Sequence, residues 1–189
     1  MAAKGCPVFG TPLVDAGRPS VARYTGIVVG EAPGRYEHAE QCPFVGAAGS
    51  FLRLRLQKLL DDKQQKRVFL TNATKRCPDC RPFKNPTVAQ WQQMVCDHRK
   101  DLAREIRRHI APDDSKAILA LGRVALFAVT NDWNSNLKTT VGECLYTPNN
   151  IGLPPDIPVI PAYHPTYIST APRQYHDWIE HICKWRAKI

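Results

Sequence analysis

Gly26-Ile27-Val28-Val29-Gly30 runs directly into Glu31-Ala32-Pro33-Gly34. Five small or β-branched residues with no polar position among them suit a strand buried on both faces. The Glu, Pro and Gly that follow suit a loop leaving its C-terminal end. The same pattern returns three times. Val68-Phe69-Leu70 runs into Thr71-Asn72, Ala117-Ile118-Leu119-Ala120-Leu121 stops at Gly122, and Pro158-Val159-Ile160-Pro161-Ala162-Tyr163 delivers His164-Pro165. Helical stretches separate these runs. Residues 51–60 set basic side chains among leucines, and 88–109 follow Thr87 as an N-cap. A short helix runs from Gly122 through Val129, and 175–188 is aromatic on one face and basic on the other. Residues 131–157 are irregular, with a hairpin expected around Gly142, and residues 1–24 show no period.

Strands alternating with helices predict one α/β domain spanning 1–189, a three-layer α/β/α arrangement around a four-stranded, mostly parallel central sheet. Ligands of such sheets bind at the carboxyl ends of the strands. Three strands here end in Glu31, Asn72 and His164, so residues far apart in sequence are expected to converge at one edge.

Composition narrows the class. The 189 residues allow one full domain and are short for two. No run approaches the ~20 apolar residues of a membrane span, and MAAKGCPVFGTP lacks the apolar stretch of a secretory signal. Membrane, secreted, collagen-like and wholly disordered readings are excluded; the expectation is an intracellular monomer of the cytoplasm or nucleoid. Lys and Arg number 26 against 17 Asp and Glu, a net charge of +9 that points to a polyanionic partner, nucleic acid first. Seven cysteines are an odd number, and Cys77, Cys80 and Cys96 fall within twenty residues. In a reducing compartment that clustering reads as metal ligation rather than a disulfide framework.

Gly30-Glu31-Ala32-Pro33-Gly34, then Glu37, then Pro43-Phe44-Val45-Gly46 and Ala48-Gly49 resemble the first motif of the uracil-DNA glycosylase superfamily, most closely its family 4 iron–sulfur enzymes. Thr71-Asn72 with Lys75 and Cys80-Arg81-Pro82, Ala120-Leu121-Gly122, and Tyr163-His164-Pro165-Thr166 resemble the remaining blocks. The resemblance covers about residues 6 to 168. It implies a monofunctional glycosylase of base excision repair, a hydrolase that releases uracil from single- or double-stranded DNA and leaves an abasic site. By the same resemblance Phe44 stacks on the flipped base, and Ala32 and Gly34 line its pocket. Gly34 stands where other uracil glycosylases place a thymine-excluding Tyr, leaving Glu37 or Tyr36 for that task and opening 5-substituted uracils as substrates. Ala32 keeps family 4's departure from the water-activating Asp, which leaves Glu31 and Glu37 as acidic candidates for positioning water or ordering the loop.

Residue chemistry runs parallel to the resemblance. An Asn carboxamide matches the N3–H/O4 edge of uracil and rejects the reversed pattern of cytosine. A His N–H can meet the charge gathering on O2 of the leaving base. On chemistry alone Asn72 serves equally as a turn cap, His164 as a turn residue before Pro165, Phe44 as core, and the two Glu as solvated surface.

Family 4 holds a 4Fe–4S cluster on a C-x-x-C pair and two cysteines sixteen apart. Cys80 and Cys96 match the later two and Cys6 the second of the first pair, whose partner position is Ala3. The inserted Cys77 is read as the replacement, giving Cys6, Cys77, Cys80 and Cys96. Structural zinc on Cys77, Cys80, Cys96 and His98 is the competing reading, with Cys42 a further possible ligand. Cys144 and Cys183 are expected to be buried or half-buried thiols. The family's Arg after His-Pro is missing; Tyr167 and Ile168 are left to fill the gap of the flipped base, with Arg173 near phosphate. Lys75, Arg76, Arg81, Lys84, Lys184 and Arg186 are the expected backbone contacts. A non-catalytic DNA-binding module, or a zinc-stabilised nucleic-acid binder, is the alternative.

Overall fold

The computed structural model describes residues 8–14, 24–76, 85–111 and 116–189. The chain forms β1 (Thr11–Pro12), β2 (Gly26–Gly30), α1 (Arg35–Glu40), α2 (Ala47–Leu59), α3 (Asp62–Gln65), β3 (Val68–Asn72) and α4 (Val88–His109). Then follow β4 (Ala117–Leu121), α5 (Arg123–Thr130), α6 (Leu137–Thr140), β5 (Leu145–Tyr146), β6 (Pro158–Ala162), α7 (Pro165–Thr170) and α8 (Tyr175–Arg186). All sit around one sheet of order β1-β3-β2-β4-β6-β5.

The four expected strands form the parallel middle of this sheet, paired β3-β2-β4-β6. The sheet has six strands rather than four, because two-residue strands pair antiparallel at its edges, β1 on β3 and β5 on β6. Two residues carry no readable alternation. Pro12 suits an edge, since it has no N–H to give to a further strand. The hairpin expected around Gly142 is instead the β5–β6 pair, Leu145 opposite Val159. Gly142 turns with φ +78 and donates its N–H to the Pro161 carbonyl at 2.9 Å.

Alternation along the buried strands builds two cores. Ile27, Val29, Phe69 and Ile118 pack with Leu102 and Ile106 of α4 and Leu126 of α5. Val28, Leu70, Leu119 and Ile160 pack with Leu52 and Leu56 of α2 and Trp178, Ile182 and Trp185 of α8. These are the three expected layers. The α4 N-cap is as read: the Thr87 hydroxyl accepts from the Gln90 N–H. The chain steps outward from β2 to β3, then returns through α4 to β4 on the far side of β2. The reversal opens a crevice at the carboxyl ends of the neighbouring β2 and β4.

Candidate active site

A cavity of about 250 Å³ lies at that edge, and Ala32, Gly34, Glu37, Phe44, Asn72 and His164 all line it. A larger one, about 470 Å³, adjoins it through His164 and is lined by Glu31, Gly122, Tyr163 and Tyr167. Residues from four separate segments therefore meet where the parallel strands end.

Asn72 closes β3 and is 4% exposed. Among the described residues its carboxamide takes no hydrogen-bond partner, so its donors and acceptor are available to a ligand. A Cβ on Gly30 would overlap Asn72 Oδ1 and stand 2.5 Å from Phe44 Cζ. The bare backbone of Gly30 thus lets the amide and the aromatic ring close on one spot. Phe44 sits there in the left-handed region, φ +59, a strained conformation for an aromatic residue.

Two features hold that strain. The Arg53 guanidinium donates to the carbonyls of Phe44 (2.9 Å), Pro43 (2.9 Å) and Leu13 (3.0 Å). Gly49 lies directly beneath the Phe44 backbone, which a Cβ would overlap. Gly49→Ala adds up to about 1 kcal/mol of helix propensity, but the obstacle is rigid backbone and the clash dominates. A net loss of about 1–3 kcal/mol is expected; an unchanged urea midpoint would contradict the packing. Arg53 escaped sequence reading because its acceptors are carbonyls whose positions only the fold defines.

His164 caps α7, with its Nδ1 accepting the Thr166 N–H at 3.3 Å. That bond places the ring proton on Nε2 and leaves one N–H to donate elsewhere. Burial lowers the His164 pKa to about 4, with Glu37 pulling weakly the other way. The imidazole is neutral at pH 7. The folded pKa lies below the ordinary 6.5, so the unfolded chain binds more protons between pH 4 and 6.5, and His164 makes stability rise across that window. Its share is at most about 3 kcal/mol. As pH falls from 6.5 to 4 the parent's urea midpoint should drop by more than that of His164→Gln; a constant gap would contradict the assignment.

The two acidic candidates separate. Glu37 gives one oxygen to the Gly34 N–H (3.1 Å) and the other to the Gly46 N–H (2.7 Å), clamping both ends of the pocket loop. A Cβ on Gly34 would meet Glu37 Oε2 at 2.6 Å, so glycine there makes room for the clamp. Burial raises the Glu31 pKa, and the residue lines the larger cavity.

One expected DNA contact is corrected. Lys75 is fully buried and its ammonium donates to Glu105 Oε2 (2.5 Å), Thr71 Oγ1 (2.7 Å) and the Asn72 carbonyl (2.9 Å). It cannot reach a phosphate. Burial pushes its pKa down while Glu105 works against that. Lys184 and Arg186 are tied to the carbonyls of Gly142 and Leu59. Arg76 and Arg173 are exposed, and Tyr167 is 44% exposed with its ring 4.9 Å from that of Tyr163. Arg81 and Lys84 lie outside the described residues, as do Cys6, Cys77 and Cys80.

Cys96 is exposed on α4. His98 is buried with Nδ1 on the Met94 carbonyl (2.9 Å), and Cys42 lies 3.8 Å from Arg53 Nη2. Among the described residues no three potential ligands gather around one point. Cys144 and Cys183 are exposed rather than buried. His176 is exposed, whereas His181 is buried under Gly142 and His109 stacks on Phe69 at 4.5 Å. No helix among the described residues is long and apolar enough to cross a membrane.

Residues 22–186 match the family model described as the uracil DNA glycosylase superfamily. Two curated relatives named type-4 uracil-DNA glycosylase are each 32% identical, over 141 residues in Saccharolobus solfataricus and 140 in Sulfurisphaera tokodaii. Each match covers 72% of this chain but only 58% and 57% of those relatives.

Proposed function

The chain belongs to the uracil DNA glycosylase superfamily, and on that premise we propose that it is a monofunctional, type-4 uracil-DNA glycosylase acting intracellularly in base excision repair. The observation that carries the reading is the free Asn72 carboxamide meeting the Phe44 ring and the mostly buried His164 in one cavity. The flipped uracil stacks on Phe44 and pairs its N3–H/O4 edge with Asn72. Neutral His164 donates Nε2–H to O2 as the N-glycosidic electrons pass into the departing uracil anion. Water attacks C1′, and its proton passes to Glu31 or solvent. Glu37 holds the loop closed, and its carboxylate fills the space beside Gly34, which makes it rather than the 72% exposed Tyr36 the group that excludes the thymine methyl. The DNA strand follows Tyr167, Arg173, Arg81 and Lys84.

Cys6, Cys77, Cys80 and Cys96 would hold a 4Fe–4S cluster, four thiolates being the donor set such a cluster takes. Val8 donates to the Lys75 carbonyl at 2.7 Å, so Cys6 and Cys77 each lie two residues from one hydrogen bond. Cys96 offers an exposed thiol. Bound there, a cluster would brace the Cys loop against DNA. Visible absorbance with four irons per chain is the expected result; colourless protein carrying one zinc would give the set to zinc.

The deciding assay offers oligonucleotides bearing one uracil, thymine, 5-hydroxymethyluracil or hypoxanthine and cleaves abasic product with alkali. Release of uracil alone, lost in Asn72→Ala, is expected. Release of 5-hydroxymethyluracil would transfer the site to 5-substituted bases, and no release with intact DNA binding would make the chain a binding module. A base must be ionised, so the acid limb of the rate rises through a pKa above the ordinary Glu value. Glu31→Gln should flatten that limb; a limb untouched by this substitution would remove Glu31 from the water's path.

A further inference from the structure

On the outer side of α4, Lys100, Arg104, Arg107 and Arg108 are all exposed. Their spacing puts them on one helical face. They line a groove of about 550 Å³ whose opposite wall is Ile151-Gly152. Gly152 turns with φ +77, and its Cβ position lies 4.0 Å from an Arg107 guanidinium nitrogen. A second cavity, about 390 Å³, flanks the same ridge; it shares Arg104 and Arg108, includes Phe9, which is 48% exposed, and is also lined by Asp101 and by Glu105, the partner of Lys75.

The helix dipole accounts for cations in the last turn, Arg107 and Arg108, but not for Lys100 and Arg104 farther back. Like charges at i,i+4, as in Lys100–Arg104 and Arg104–Arg108, oppose the helix. Among the described residues only Arg104 is offset by a carboxylate, Asp101 at 3.1 Å, and none lines the groove itself. The groove shares no lining residue with the base cavity or its neighbour. α4 packs on the sheet face of Ile27, Phe69 and Ile118, whereas Phe44 packs on the other, with Val28 and Leu70.

We propose that the Lys100–Arg104–Arg107–Arg108 ridge is a second nucleic-acid surface, gripping the phosphate backbone of a DNA segment other than the one whose base enters the pocket. Backbone phosphates fit because the donors are guanidinium forks and an ammonium along a ridge, with an exposed aromatic at its side. The surface reads no sequence. Its effect is to hold the protein on DNA without requiring a flipped base.

The test compares Arg104→Gln/Arg107→Gln/Arg108→Gln with Lys58→Gln/Lys63→Gln/Lys66→Gln, which removes three exposed lysines elsewhere. Binding to uracil-free duplex is followed against salt, so the readout is independent of base chemistry. For the ridge variant the salt slope should shrink by roughly 0.9 per phosphate contact, about two to three in all, and affinity at 0.1 M salt should fall about tenfold or more. Single-turnover uracil release from a saturating short oligonucleotide should stay as in the parent. An unchanged slope, or an equal fall in the lysine control, overturns the proposal. If the triple variant folds poorly, Arg107→Gln/Arg108→Gln carries the same test with a slope change of about two.

Discussion

His164→Ala is expected to slow single-turnover release of uracil by about 10²–10³-fold, the usual cost of removing one preorganised donor to a developing oxyanion. The donor is preorganised because Nδ1 is already spent on the Thr166 N–H, which leaves Nε2–H as the proton facing the cavity. Its neutrality, from a pKa held near 4 by burial, keeps the donor in one protonation state across physiological pH. The substitution also removes the α7 cap, worth about 1 kcal/mol. His164→Asn separates the two effects: a shorter amide can restore the cap without reaching O2. The expected outcome is near-parent stability with the rate still depressed. Release within tenfold of the parent in both variants would remove His164 from the chemistry, and recovery in Asn alone would make it a cap.

Lys75→Met is expected to cost about 3–5 kcal/mol, the usual loss when one partner of a buried ion pair is removed. That is a large part of the 5–15 kcal/mol by which domains are stable. Glu105 would stay buried, its Oε1 on the Gly10 N–H at 2.5 Å and its Oε2 on the Thr71 hydroxyl at 2.7 Å, with no cation left. The Asn72 carbonyl would lose its donor, so the pocket should loosen as the fold weakens. Lys75→Met/Glu105→Gln keeps a neutral acceptor and should recover part of the loss. A urea midpoint close to the parent, with a shallower salt dependence of DNA binding, would instead return Lys75 to the DNA surface.

Much of the fold was legible because its strands are buried on both faces and therefore read as unbroken apolar runs. Their carboxyl-end residues, Glu31, Asn72 and His164, were legible for the same reason. The sequence by itself determined the parallel core, the long capped α4, and the order of motifs that places the chain in its superfamily. These depend on local pattern and nearest-neighbour chemistry. It could not reveal the two edge strands, each two residues long, nor that Lys75 lies inside, since a lysine in a polar loop looks like any surface cation. Only the tertiary structure paired Lys75 with Glu105, thirty positions away. It also set Arg53 on the carbonyls that hold Phe44 and divided the two carboxylates, Glu37 to clamp the loop and Glu31 to line the larger cavity. The physical reason is reach: a hydrogen bond acts over about 3 Å, and residues distant in sequence come within that range only once the sheet has brought their segments together.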